Sequence, residues 1–456
     1  MITMFFERLI AAIWNRLAGR RRGARSENMG SLAFGHRIVD DRPTKNRIIL
    51  TSRERMRHVV VLGKTGSGKS YLLRYMSEQD IEHDRGFIYF DLHGDATPFL
   101  MRRINARERR EHRHLSDRLI LVDPADPIMS IGLNPLEQES PDFIAIAEVA
   151  EILKRHWGLQ HFGARTDELL RNSLFVLSAN HLTLVELAPL LADSDFRFAC
   201  FEKVGNPEVR EYFDLRYDQA SDAMQATMRE PILNKTSAFT ADPKFRHIVG
   251  QEHSSFSFRE AMDQGLWIIV NLAKGRLGAQ SLTLGSLIFT MVKNALFTRT
   301  ADRLCTIYCD EVQNFVAQAH EIETMLAESR KMYTGFVTAH QFMDQLPPEM
   351  RAALLSVGTH VFFQLSSQDA AHVSQALGGG RSLTERLKNL PQRHAVVKTG
   401  SKEWEEFRVP TVEDPSIDYT DLLNRVRYTR GRVRAHIERD IAARRKSRRD
   451  LEAELE

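Results

Sequence analysis

The chain has 456 residues, 43% of them hydrophobic, enough to bury a large core and to build two domains or one domain with a big insertion. Its 63 basic and 60 acidic residues leave a formal charge of +3, so net charge points neither toward nucleic acid nor away from it, and only the distribution can decide. Three cysteines (Cys200, Cys305 and Cys309) exclude a disulfide framework and show no paired metal-ligand spacing, and no apolar run reaches the roughly 20 residues a spanning helix needs, so the chain reads as soluble and cytoplasmic.

Met1 to Leu17 places Phe6, Ile10, Ile13 and Leu17 at helical spacing beside Phe5, Leu9 and Trp14, and Arg20, Arg21, Arg22 and Arg25 follow. That profile fits a helix lying in the plane of an anionic membrane, a peripheral contact at its inner face, or a helix docking on a partner. Glu7 and Arg8 break the apolar part and the arginines come after it, which is not the order of a secretory signal. From Ser26 to Arg55 the sequence is polar with short apolar clusters such as Ile48-Ile49-Leu50, the pattern of an entry segment or an edge hairpin.

The stretch from His58 to Leu73 organises the rest of the chain. His58-Val59-Val60-Val61-Leu62 predicts a strand covered on both faces. Gly63-Lys64-Thr65-Gly66-Ser67-Gly68-Lys69-Ser70 then fits the phosphate loop of nucleoside triphosphatases, in which glycines let backbone N–H groups curl round an anion. A helix from Ser70 would aim its positive end at the same anion, with Lys69 on the β- and γ-phosphates of ATP and the Ser70 hydroxyl on Mg²⁺.

Gly86 to Asp91 predicts a second strand ending on a carboxylate, and Asp91, His93 and Asp95 are either site residues at a sheet edge or a capped turn. The next helix carries Arg102, Arg103, Arg107, Arg109, Arg110 and Arg113, which read as a solvated face or a phosphate-facing one, and a third strand starts at Leu119. From 141 to 250 strand-like runs vanish and apolar residues fall at helical spacing (Phe143, Ile146, Val149, Ile152, then Leu169, Leu170, Leu174, Leu177), predicting an inserted all-α domain. Strands resume at Leu266–Leu272, Leu304–Cys309, Gly335–Gln341 and His360–Leu365, separated by helical patterns as in a parallel sheet with crossovers, and His394–Lys398 and Trp404–Val409 are expected to pair at an edge. The expected organisation is an N-terminal helix and basic linker over 1–25, an α/β P-loop core of RecA type over 26–140 and 251–415, the insertion over 141–250, and a basic helical tail over 416–456.

Triphosphate hydrolysis needs a carboxylate behind the metal and a group that orients water. Asp310 and Glu311, at the tip of an apolar strand, supply these, and Gln341, ending the next strand, would either lie beside Glu311 and read the γ-phosphate or simply be a polar strand end facing water. Spacing singles out no arginine as a charge-stabilising finger; Arg330 in Ser329-Arg330-Lys331 and Arg165 in Gly163-Ala164-Arg165-Thr166 are candidates.

The ordered set Val61 to Ser70, Asp91-Leu92-His93-Gly94-Asp95, Gly132-Leu133-Asn134-Pro135-Leu136, Arg165 with Leu170-Arg171-Asn172, Asp310 to Phe315, Ser329-Arg330-Lys331 and His340-Gln341 resembles the HerA–FtsK superfamily of ring-forming DNA-pumping ATPases, and most of all its TraG-type coupling-protein branch of conjugation and type IV secretion. The resemblance spans roughly Arg57 to Pro410. It implies a homo-hexamer with ATP at each subunit interface and DNA in the channel. It assigns Lys69 and Ser70 to phosphate and Mg²⁺, Asp310 to Mg²⁺, Glu311 to water, Gln341 to coupling, and Arg330 to a neighbouring subunit's γ-phosphate, with Arg165 a second inter-subunit candidate. Three functions fit: a DNA translocase; a nucleotide-gated module recruiting a relaxase, effector or nuclease at a secretion channel; or the motor of a nuclease-paired defence complex. Two features depart from the family: the transmembrane helices usual at the start of coupling proteins are missing, and Gln364 stands where the pattern tends to have Arg.

Overall fold

The computed structural model describes residues 30–138, 141–161, 163–315, 319–341 and 348–445. The amphipathic helix expected over 1–25, with its membrane or partner contact, and the basic residues from Lys446 onward lie outside the described residues. In chain order the strands are β1 Leu32–Val39, β2 Arg42–Leu50, β3 Val59–Leu62, β4 Gly86–Asp91, β5 Leu119–Val122, β6 Met129–Ser130, β7 Trp267–Asn271, β8 Cys305–Asp310, β9 Thr334–His340, β10 Thr359–Phe362, β11 His394–Thr399, β12 Glu405–Arg408 and β13 Arg432–Val433. The class is α/β with a mostly parallel central sheet. Among the described residues no helix is long and apolar enough to cross a membrane.

The chain divides into two compact units. The first holds the residues up to Ile88, Ala301–Glu311 and Ile322–Pro415; the second holds Tyr89–Thr300, Val312–Glu321 and the residues from Ser416.

In the first unit the strand order is β2-β1-β12-β11-β10-β3-β9-β8. β10, β3, β9 and β8 run parallel, with Phe362 and His340 opposite Leu62 and Asp310 opposite Ala339. Parallel strands reach their neighbours by crossovers, so their carboxyl ends share one edge. That edge collects the residues just past each strand: the glycine loop, Glu311, Gln341 and Phe363-Gln364. β3 shows no alternation because both faces are covered, and Val59, Val60, Val61 and Leu62 are each at most 2% exposed, worth about 1.5–3 kcal/mol apiece.

β11 and β12 pair antiparallel as expected, but they are not the edge. β12 also pairs with β1, which pairs with β2, so the hairpin at 32–50 closes the sheet on that side. Its inward face, with Phe34 stacked on Phe407 at 5.6 Å, gives β12 an apolar partner that strand spacing alone did not show.

A buried polar cluster fastens the helix after the glycine loop, α1 (Lys69–Glu82), to β8. Asp80 accepts from Tyr308 Oη at 2.6 Å, from Arg55 Nη2 at 2.6 Å and from Arg85 Nη1 at 3.2 Å. Arg55 also donates to Thr306 Oγ1 at 2.6 Å. Burial works against the Arg55 charge, yet the facing Asp80 carboxylate outweighs it and holds the guanidinium pKa above its ordinary value.

In the second unit β5 and β7 pair in parallel. Helices alone, among the described residues, fill the stretch from Phe143 to Val249, where Ile146, Val149, Ile152, Leu169, Leu170, Leu174 and Leu177 are buried. Phe143, expected among them, is 53% exposed and stacks on Phe175 at the start of its helix. The arginine-rich helix α2 (Ala96–Glu111) is not a uniformly solvated face. Arg107 is buried, pairs with Glu111 at 2.6 Å and lies 5.9 Å from the Trp267 ring, while Arg109, Arg110 and Arg113 are exposed. The C-terminal segment is less free a basic surface than its composition suggests: Arg425 pairs with Glu108, Arg427 with Asp126 and Arg444 with Glu186.

Candidate active site

The glycine loop leaves β3 with Gly63 N–H bound to His340 O at 3.2 Å and Lys64 N–H to Gln364 O at 2.8 Å, so the loop is tied to the ends of both neighbouring strands. Gly63 and Gly68 are sterically required. A Cβ on Gly63 would lie 2.6 Å from Phe363 Cβ, and one on Gly68, at φ 125°, would meet Phe363 at 3.0 Å and Arg393 Cα at 3.2 Å. α1 begins at Lys69, and its unsatisfied N–H groups face the same edge.

Lys69 Nζ donates to Gly63 O at 2.7 Å and Lys64 O at 3.1 Å, which holds the ammonium over the loop. Burial pulls its pKa below the ordinary lysine value, and the charges of Asp310 and Glu311 oppose that without cancelling it. His340 behind it is pushed down to about 3 by burial and by the Lys69 charge. The imidazole therefore stays neutral and adds no charge beneath the loop.

Ser70 Oγ donates to Asp310 Oδ2 at 2.8 Å. Ligands at 2.0–2.1 Å in an octahedron sit about 2.8–3.0 Å apart when adjacent, so this pair has the donor types and spacing that Mg²⁺ needs. Glu311 follows at φ 57°, a left-handed conformation uncommon outside glycine, and its N–H bonds to Ala339 O at 2.8 Å. The reversal turns the Glu311 side chain to Gln341. Gln341 Nε2 donates to Glu311 Oε1 at 2.6 Å, and Gln341 Oε1 accepts from Thr65 Oγ1 at 3.0 Å. One amide thus joins the glycine loop to the carboxylate beyond β8.

The phosphate-loop residues, Ser70, Asp310, Glu311 and Gln341 therefore meet at one edge, and Arg330 does not join them. It is exposed in the turn before β9, at the amino end of the strand that Gln341 terminates; seven strand residues put about 23 Å between them. Arg165 belongs to the second unit, exposed in the first turn of the helix Ala164–Ala179, with Nη1 3.3 Å from Met224 Sδ. Two family-like motifs have structural roles there. Asp91 accepts from Thr97 N and Oγ1, both at 2.7 Å, and from Gly94 N at 3.0 Å, a cap for α2. Asn134, 1% exposed, donates to Glu252 O at 2.9 Å and accepts from Leu136 N at 3.0 Å.

Residues 44–175 match the family model described as "Helicase HerA, central domain". That stretch, under a third of the chain, contains the glycine loop and is similar to the HerA central domain. The plasmid coupling protein TrwB, solved in complex with ADP and Mg²⁺, superposes with a TM-score of 0.56 at 16% identity, over 87% of this chain and 94% of that one. TrwB in complex with a non-hydrolysable ATP analogue gives 0.56 at 15% identity over the same shares. VirB4 of Thermoanaerobacter pseudethanolicus gives 0.51 at 14% identity, over 84% of this chain and 96% of that one. The comparison with curated proteins gave no match. At such identities the likeness establishes a fold shared with TrwB and VirB4.

Sequence reasoning missed the residues that flank the loop on its other side. Arg393 N–H donates to Ser67 O at 2.9 Å and Gln392 Nε2 to Gly66 O at 3.1 Å. They stand more than 300 positions after the loop and match no motif, so only the placement of β11 brings them there.

Proposed function

We propose that this chain is the ATPase subunit of a ring that moves DNA, with Mg²⁺-ATP bound by the loop 63–70 and hydrolysed at Glu311. The observation that carries the reading is the chain of contacts from Thr65 through Gln341 to Glu311 beside the Ser70–Asp310 pair. Lys69 and the loop N–H groups hold the phosphates. Ser70 and Asp310 would hold Mg²⁺, which when bound would supply charge neutralisation at the phosphates. Glu311 orients water and takes its proton, and Gln341, bonded to both Thr65 and Glu311, reports the phosphate end to β9.

Assembly as a homo-hexamer accounts for Arg330. A long cation exposed at the sheet edge opposite its own loop has no role in that loop's chemistry, but in a head-to-tail ring it meets the next protomer's phosphates. DNA contact through backbone phosphates makes turnover stimulated by DNA and weakened by salt. The decisive measurement is ATP hydrolysis with and without DNA. An Arg330→Ala chain should be inactive alone yet regain turnover when mixed with Glu311→Gln, because the mixed interface joins an intact Arg330 to an intact Glu311. Absence of DNA-stimulated hydrolysis in the wild type would defeat the reading.

A further inference from the structure

The catalytic end of the loop is fixed by β8 and β9, which deliver Glu311 and Gln341 from one side of β3. A nucleoside triphosphate whose γ-phosphate lies there must carry its nucleoside the opposite way, toward β10, β11 and β12. That side holds an arrangement that the hydrolytic residues do not use. The Arg393 guanidinium lies over the Tyr71 ring, 5.5 Å from its centroid, and its Nη1 donates to Thr411 Oγ1 at 2.9 Å. Tyr71 is the residue after Ser70, in the first turn of α1, and its hydroxyl is hydrogen-bonded to the Val412 backbone. Both side chains are half-buried.

The geometry makes this a recognition surface more than a phosphate contact. Residues 392 and 393 touch the loop through the carbonyls of Gly66 and Ser67, on the outside of the cradle whose N–H groups face the phosphates. Arg393 is held at φ 66°, a left-handed conformation uncommon outside glycine. The bond to Thr411 Oγ1 restrains the guanidinium over the Tyr71 ring. A guanidinium so restrained is flat and cationic, the kind of surface on which an aromatic base stacks.

We infer that the Arg393–Tyr71 pair is the nucleoside platform of the triphosphate site, receiving the base of the nucleotide against the guanidinium. This rests on the assignment of the loop 63–70 to phosphate. Magnesium tripolyphosphate separates the two, because it has the phosphates of ATP and no nucleoside. Titration calorimetry on the full chain measures both ligands in the wild type, Arg393→Ala and Arg393→Lys; the lysine variant keeps the charge and loses the flat face. ATP should bind roughly ten-fold more weakly to both variants, with tripolyphosphate within two-fold of wild type, which also shows the loop intact. Equal weakening of both ligands, full rescue by lysine, or unchanged ATP affinity would overturn the platform. Wild-type protein that binds neither ligand overturns the phosphate assignment itself.

Discussion

Gln341 donates its amide N–H to Glu311 at 2.6 Å while its carbonyl accepts from Thr65, so the residue just past β9 holds the carboxylate beyond β8 in register with the glycine loop. A carboxylate used as a base needs this restraint, because reach and orientation decide whether it meets the water. The contact also gives β9 a direct connection to events at the loop.

Removing the base while keeping its shape isolates that role. Glu311→Gln should bind ATP with near-normal affinity and lose about 10²-fold or more in steady-state phosphate release. Gln341→Ala should fall less in single-ATP turnover than in DNA stimulation, because Glu311 remains present but unguided. Normal DNA stimulation in that variant would remove Gln341 from coupling.

Asp310 and Ser70 bear on metal use. The 2.8 Å contact between them places two oxygens where adjacent Mg²⁺ ligands sit. Asp310→Asn should therefore raise the Mg²⁺ concentration for half-maximal turnover several-fold, read by titrating metal at saturating ATP, whereas Lys69→Ala should lose ATP binding at every Mg²⁺ concentration.

The sequence carried these residues clearly because each follows an apolar strand, and a parallel sheet brings such positions to one edge whatever their separation along the chain. It carried the flanks poorly. The run at 394–409 was expected at an edge because antiparallel pairing of short strands does not reveal a third partner; the hairpin at 32–50 is that partner. Arg107 read as part of a solvated or phosphate-facing row, and its burial, beside Trp267 and paired with Glu111, depends on tertiary placement that the row does not show. Spacing singled out no arginine, and Arg330 was a candidate through the family resemblance; its distance from Gln341 along β9 is what gives that candidacy a direction.

The Asp80 cluster fixes α1 against β8, two residues before Asp310 on that strand. Asp80→Ala leaves Arg55 and Arg85 buried without their carboxylate and should cost about 3–5 kcal/mol in urea unfolding of the full chain. Tyr308→Phe removes one buried bond and should cost about 1–2 kcal/mol. If the two variants lose equal stability, Asp80 is not the hub of the cluster.

Acid sensitivity follows from His58, which is 4% exposed at the start of β3. Phe336 N–H donates to its Nδ1 at 3.1 Å, so Nε2 carries the proton and donates to Leu326 O at 2.8 Å. Both nitrogens are used by the neutral ring, and protonating Nδ1 breaks the bond from Phe336. Burial first, and the Arg330 charge after it, lower the pKa from 6.5 to about 4. The unfolded chain therefore takes up a proton near pH 6.5 that the folded chain refuses until about pH 4. Stability should be fully present above pH 6.5, fall as pH drops toward 4 by up to about 3 kcal/mol from this residue, and flatten below that. His340 and His156, lowered to about 3 and about 4, act in the same direction. His58→Asn tolerates the left-handed backbone at φ 67° and cannot titrate. Its urea midpoint should be lower at neutral pH yet decline less steeply between pH 6.5 and 4, and a slope equal to wild type would mean that His58 does not carry the acid response.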